Sequence, residues 1–97
     1  MLWMILGRDR ADSAAARAAA RPDHLERLQA LHQQGRVVLA GPLPAEPGDS
    51  ATGMVGSLIV ADFADRQSAE AWISADPYCT DQVFELVEVQ PFKQVLP

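Results

Sequence analysis

Residues 54–63 read Met-Val-Gly-Ser-Leu-Ile-Val-Ala-Asp-Phe. Taken as a strand, this run puts Leu58 and Val60 on one side and Ile59 and Ala61 on the other. Both sides are apolar, whereas a strand with one wet face alternates apolar and polar residues. Downstream, Asp65 is placed to cap a helix carried on by Ser68, Ala69, Ala71, Trp72 and Ile73. Asp76-Pro77 breaks that helix, because proline cannot continue it. Val83 to Val89 (VFELVEV) then alternates as a strand. Phe84, Leu86 and Glu88 share one face, and Val83, Glu85, Val87 and Val89 the other.

Working upstream, residues 2–7 form another two-faced apolar run, with Leu2, Met4 and Leu6 opposing Trp3 and Ile5. Asp12-Ser13 opens a helix through alanines 14–16 and 18–20. Arg21-Pro22 is expected to interrupt it and start a second helical segment, with Leu25, Leu28 and Leu31 on its apolar face. Gly35 suits the position just past the end of that segment. Arg36 to Ala40 is β-rich, with Val37 and Leu39 opposing Val38 and Ala40, and Gly41-Pro42 closes it. Residues 41–53, with three prolines and three glycines, read as a loop, and Asp49-Ser50-Ala51 as loop chemistry. Residues 91–96 are a tail with the makings of another strand.

The order is β-α-β-β-α-β with the first helix broken in two. This predicts an α+β fold, the split βαβ or ferredoxin-like plait: an antiparallel sheet with both helices on one face. The two-faced strands leave the second sheet face apolar and uncovered. That predicts a homodimer in which two sheets pack face to face as a barrel-like assembly.

Ninety-seven residues suit one domain, residues 1–97, and the composition of 48% apolar and 22% charged is that of a globular chain. One cysteine, Cys79, excludes an internal disulfide framework. No apolar run is long enough to span a membrane, and the N-terminus lacks a signal peptide's basic region, so the expectation is a cytoplasmic protein with no membrane partner. Thirteen acids against eight bases give a net charge of −5, which disfavours nucleic acid. Yet Arg8, Arg10, Arg17, Arg21, Arg27 and Arg36 crowd the first 36 residues. Arginine forks recognise carboxylates and phosphates, so a small anionic ligand fits this half, although solvated surface charge is the blander account.

The chain carries no glycine-rich phosphate loop, no paired-cysteine zinc spacing, and no metalloprotease or nucleophile-elbow motif. Cys79 reads as an idle thiol. His24 and His32 lie eight residues apart, too far along a helix to share a metal. His24, beside Asp23 and just after Pro22, is expected in a first helical turn, where the positive end of the helix dipole favours the uncharged ring that a general base needs. His32 is expected to pack in the core, as are Trp3 and Trp72. Asp76 is either a turn former or the carboxylate that orients a histidine brought near by the fold.

Arg17, Arg21-Pro22-x-His24-Leu25, Leu31-His32-x-x-Gly35-Arg36, Ala40-Gly41-Pro42, Gly56-Ser57, Phe63, Ala71-Trp72, Asp76-Pro77-Tyr78 and Pro91-Phe92-Lys93 appear in an order and spacing that resembles the YCII-related family over nearly the whole chain. The resemblance implies a ferredoxin-like fold dimerising through its sheets, and an active-site cleft whose His–Asp pair maps onto His24 and Asp76. It also brings in a relative that eliminates chloride from a chlorinated hydroquinone with such a dyad. On that basis the expected function is general acid–base chemistry, an elimination or isomerisation of a small, anionic, cyclic or enolisable substrate. It would need no cofactor and no metal. Arg17 and Arg21 would clamp the substrate, and Ser57 or Tyr78 would add a hydroxyl. The alternative is a non-catalytic dimeric domain that binds a small ligand or serves as an accessory partner.

Overall fold

The computed structural model describes residues 1–48 and 53–97; the Asp49-Ser50-Ala51 reading falls outside them. Strand β1 (Leu2–Asp9) leads to helix α1 (Ala14–Gln33), then β2 (Val37–Pro44), β3 (Met54–Asp62), α2 (Arg66–Ser74), the short α3 (Pro77–Thr80) and β4 (Phe84–Pro91). The strands form one sheet in the order β2-β3-β1-β4, every neighbouring pair antiparallel. This is the ferredoxin-like arrangement expected from the element order.

Register decides which residues reach the helices. Trp3, Ile5 and Gly7 of β1 lie opposite Ala61, Ile59 and Ser57 of β3. Trp3, Ile5, Ile59 and Ala61 join Ala20, Leu31, Ala69, Ile73 and Tyr78 in the core. The other face of the sheet carries Leu2, Met4, Leu6, Leu58 and Val60, as alternation requires. Two bulges break that alternation at the sheet edges. On β2, Val37 pairs with Ala61 but Leu39 pairs with Val60, so these two residues sit on opposite faces rather than the same one. On β4 the register slips between Leu86 and Phe84, which returns Phe84 to the core while Leu86 stays 60% exposed. Gly7 makes room for that ring: a Cβ there would lie 2.5 Å from it.

Other sequence expectations are corrected as well. The first helix is not broken: α1 runs through Pro22. The proline removes one backbone bond and costs about 3 kcal/mol. Ala18, whose carbonyl loses its partner, is exposed and can use water. The buried anchors Arg17 and Ala20 before the proline, and His24 and Leu31 after it, hold both halves to the same core. His24 is therefore mid-helix, and the dipole argument for it does not apply. Residues 41–44 are strand, not loop; β2 is an edge strand, where prolines 42 and 44 sacrifice no necessary sheet bond. The tail after Pro91 adds no strand. His32 is exposed in the last turn of α1, not packed in the core.

The helix ends follow local chemistry. Gly35, at φ +73°, follows α1; its N–H bonds the His32 carbonyl and the Arg36 N–H bonds the Leu31 carbonyl, the two bonds of a Schellman motif. Asp65 caps α2 by accepting the Ser68 N–H at 2.7 Å, and Asp76 caps α3 by accepting the Tyr78 N–H at 3.0 Å. Among the described residues no helix is long and apolar enough to cross a membrane.

Candidate active site

The Asp76-Pro77 break does more than end α2. It turns the chain so that a completely buried carboxylate points at the middle of α1. His24 Nδ1 lies 2.8 Å from Asp76 Oδ2. The same oxygen accepts the Tyr78 N–H, and Oδ1 accepts Arg27 Nη1 at 2.8 Å. Burial pushes the Asp76 carboxyl up, but the bonds from His24, the Tyr78 N–H and Arg27 outweigh it and hold it below the usual carboxylate range. With Nδ1 in contact with the carboxylate, the opposite edge of the imidazole, with Nε2, faces away from Asp76.

A cavity of about 250 Å³ opens on that side, between α1 and the β2–β3 half of the sheet. Arg17, Arg21, His24, Ser57 and Tyr78 form its polar wall. Leu25, Leu28, Ala40, Pro42 and Ile59 form its apolar wall. The Tyr78 ring stacks on the imidazole, centroids 3.9 Å apart and 15° from parallel, and Phe84 meets Tyr78 edge-on. This packing fixes the ring plane of His24. Burial raises the Tyr78 hydroxyl above its ordinary value despite the nearby Arg17 and Arg21 charges, so it stays a protonated phenol.

All six residues singled out from sequence therefore meet: His24, Arg17, Arg21, Ser57 and Tyr78 on the cavity, with Asp76 directly behind His24. Their environments differ. Arg17 Nε and Nη2 fork onto Asp9, at 2.8 and 3.2 Å. Nη2 also reaches the Gly56 carbonyl and Ser57 Oγ, each at 2.8 Å, while Nη1 points at the Tyr78 hydroxyl. This guanidinium is spent on the protein. Arg21 is exposed, lines the cavity, and forms no ion pair among the described residues. Among the described residues it is the exposed cation of this cavity wall.

Two participants were not legible in advance. Asp9, which pairs with Arg17, lies at the bulge ending β1, and no spacing rule links it to a helical arginine eight residues later. Arg27 sits three residues after His24, on the same helix face, and that spacing was the available signal. Cys79 is half-buried beside this network; burial and the Asp76 charge raise its thiol, which lowers its thiolate fraction at neutral pH. Among the described residues no three His, Cys, Asp or Glu side chains converge as metal ligands.

The chain resembles known proteins in sequence and in fold. The YCII-related domain model matches residues 1–93. Protein YciI of Escherichia coli O6:H1 is 48% identical over 99 residues, covering 98% of this chain and 99% of the relative. An uncharacterized protein of Haemophilus influenzae is 37% identical, with 98% and 99% coverage. Among solved structures, the 5-chloro-2-hydroxyhydroquinone dehydrochlorinase TftG of Burkholderia phenoliruptrix, in complex with 2,5-dihydroxybenzoquinone, superposes with a TM-score of 0.85. It is 26% identical, over 96% of this chain and 94% of that one. A protein of Agrobacterium tumefaciens shares the fold alone, with a TM-score of 0.52 at 13% identity over 96% and 92%. With a near-full-length match to the family model and a relative at nearly half identity, the chain belongs to the YCII-related family.

Proposed function

We propose that this chain is a cofactor-independent small-molecule enzyme in which His24 is the general acid–base. Asp76 fixes the tautomer and orientation of His24, and Nε2 moves a proton at the substrate. The observation that carries this reading is the ring itself: one nitrogen is held by a buried carboxylate and the opposite edge is turned to a cavity. A volume of about 250 Å³ suits a single-ring molecule. The apolar wall would pack against the ring faces, and Arg21 would meet a phenolate or carboxylate on its rim. TftG is a dehydrochlorinase of a hydroxylated chlorohydroquinone. Hydroxylated hydroquinones and quinones, with and without a halogen, are accordingly the first substrates to test, followed by lactone acids. In an elimination from the keto tautomer of a halogenated hydroquinone, Nε2 takes the proton of a remaining ring hydroxyl, the O–H electron pair forms a carbonyl, the ring double bond shifts, and the halide departs from its tetrahedral carbon with the carbon–halogen pair.

The test is incubation with that panel, reading product by mass spectrometry and halide release. The expected result is slow product formation that His24→Ala lowers by about 10²–10⁴-fold, the usual size of a general-base contribution. Undiminished turnover in His24→Ala removes His24 from the mechanism. Binding of panel members without any product favours the ligand-binding reading, in which the Asp76 bonds serve only to tie α1 to the turn before α3.

We also propose that the working unit is a homodimer. The sheet face away from the helices presents Leu2, Met4, Leu6, Leu58 and the half-exposed Leu39, an apolar surface unusual on a monomer. Size-exclusion chromatography with light scattering at micromolar concentration should give twice the chain mass, and Met4→Glu should give a monomer. A monomer for the unaltered chain overturns this.

A further inference from the structure

Arg27 is the side chain in the site whose role remains open, since it touches neither the cavity nor the reacting edge of His24. It reaches from α1 across the top of the turn. Nη1 donates to Asp76 Oδ1 at 2.8 Å and Nη2 donates to the Trp72 carbonyl at 2.9 Å. That carbonyl lies in the last turn of α2, where backbone acceptors lack helical partners; the Asp76 N–H that would serve it goes to Ile73 instead. The guanidinium carbon sits 4.6 Å over the Trp72 ring. One fork therefore fixes three things: the end of α2, the Trp72 ring and one oxygen of the buried carboxylate.

The partition of the two Asp76 oxygens gives this its consequence. Oδ1 belongs to Arg27, and Oδ2 belongs to His24 Nδ1 and the Tyr78 N–H. Without a donor on Oδ1 the carboxylate is held through Oδ2 alone, by the Tyr78 N–H and His24, and its last torsion is less tightly set. With Arg27 in place, only Oδ2 faces His24, in the plane that the Tyr78 stacking imposes. The cationic fork also shares the carboxylate charge, which keeps Asp76 ionised and leaves the Nδ1 proton on the ring. The other charged groups around the imidazole do not compete for this role. Arg17 is forked onto Asp9, Arg21 is on the cavity side, and the Tyr78 phenol faces Arg17.

We propose that Arg27 is the positioning residue of the His24–Asp76 pair, setting the carboxylate so that His24 carries its proton on Nδ1 and presents Nε2 to the cavity. This rests on the acid–base reading of His24 for its kinetic consequence but not for its structural one. The experiment is ¹⁵N NMR of the imidazole nitrogens, at a pH above the ordinary imidazole range, in the unaltered protein, Arg27→Met and Arg27→Lys. The unaltered protein should show one tautomer, protonated on Nδ1. Arg27→Met keeps the aliphatic stem and should show a mixture with the Nε2-protonated form. Arg27→Lys keeps the charge without the fork, and should fall between the two; it also serves if Arg27→Met does not fold. On a substrate turned over by the unaltered enzyme, Arg27→Met should lose about tenfold to a hundredfold in kcat with KM little changed, the rate equivalent of one charge-assisted hydrogen bond. A folded variant of either kind with an unchanged tautomer overturns the proposal, whatever its activity. Failure of the acid–base reading looks different: His24→Ala keeps turnover while the tautomer still answers to Arg27.

Discussion

Arg17–Asp9 and His24–Asp76 are both buried side-chain contacts to a carboxylate at 2.8 Å, each joining α1 to a neighbouring element, and Arg17 and His24 line the same cavity. Arg17 has every part of its fork occupied by protein: two carboxylate oxygens, a carbonyl, a serine and a phenol. His24 uses one nitrogen on protein and turns the other edge to the cavity. A pair whose donors are all satisfied supports the structure. A pair that leaves one nitrogen over can do chemistry.

That contrast is open to breakage, first through activity. His24→Ala should show the largest effect, the 10²–10⁴-fold loss of turnover given above, with little loss of fold because Asp76 keeps Arg27 and the Tyr78 N–H. Arg17→Met should do the reverse in kind. It strands the buried Asp9 carboxylate, and breaking such a pair typically costs about 3–5 kcal/mol. In a domain of this size that lowers the melting temperature by more than about 10 °C. Calorimetry of the two variants side by side reads the difference; a melting temperature for Arg17→Met within a degree or two of the unaltered chain would show that the fork is not structural.

Arg21 sharpens the comparison, since it is the arginine of the cavity left free for a ligand. Arg21→Gln should raise KM about tenfold with kcat nearly unchanged, the mark of lost uniform binding to a charged group. A fall in kcat alone would place Arg21 in the reaction instead. The smallest effect is on acid stability. Folding holds the Asp76 carboxyl below its ordinary value, so the unfolded chain takes up that proton first as pH falls. The resulting stability is complete above the ordinary carboxylate range near pH 4 and drains away as pH drops through the lower folded value. Melting temperature against pH should therefore fall less steeply on the acid side in Asp76→Asn. Asp62, held low by the N-terminal ammonium, and Asp65, held low by the Ser68 N–H, contribute to the slope of both proteins alike.

The strands and the helix ends were legible because they rest on local rules. Two-residue periodicity placed Trp3 and Ile5 opposite Leu2, Met4 and Leu6, and placed Ile59 and Ala61 opposite Leu58 and Val60, which is where the register puts them. Gly35 and Asp65 act through φ and through an N–H three residues away. Local rules failed where tertiary packing overrode them. Pro22 should have ended a helix, but anchors on both sides of it carry α1 through. The bulges in β2 and β4 moved Leu39 and Phe84 to the opposite face, because an edge strand can take an extra residue and still bury a ring. Gly41 to Pro44 read as loop, but at the sheet edge its prolines are harmless and it is strand.

The sequence alone determined the order of the strands and main helices, the family motifs, and the residue types of the candidate site with arginines near it. Those depend on neighbours within a few positions and on side-chain chemistry. Only the tertiary structure decided that His24 and Asp76, 52 residues apart in the chain, meet at 2.8 Å. It also decided that Asp9 consumes Arg17 while Arg21 stays available, and that Arg27 holds the second carboxylate oxygen. Contacts at that separation are made by the packing of α1 against the Asp76 turn and the sheet, and no local periodicity carries them.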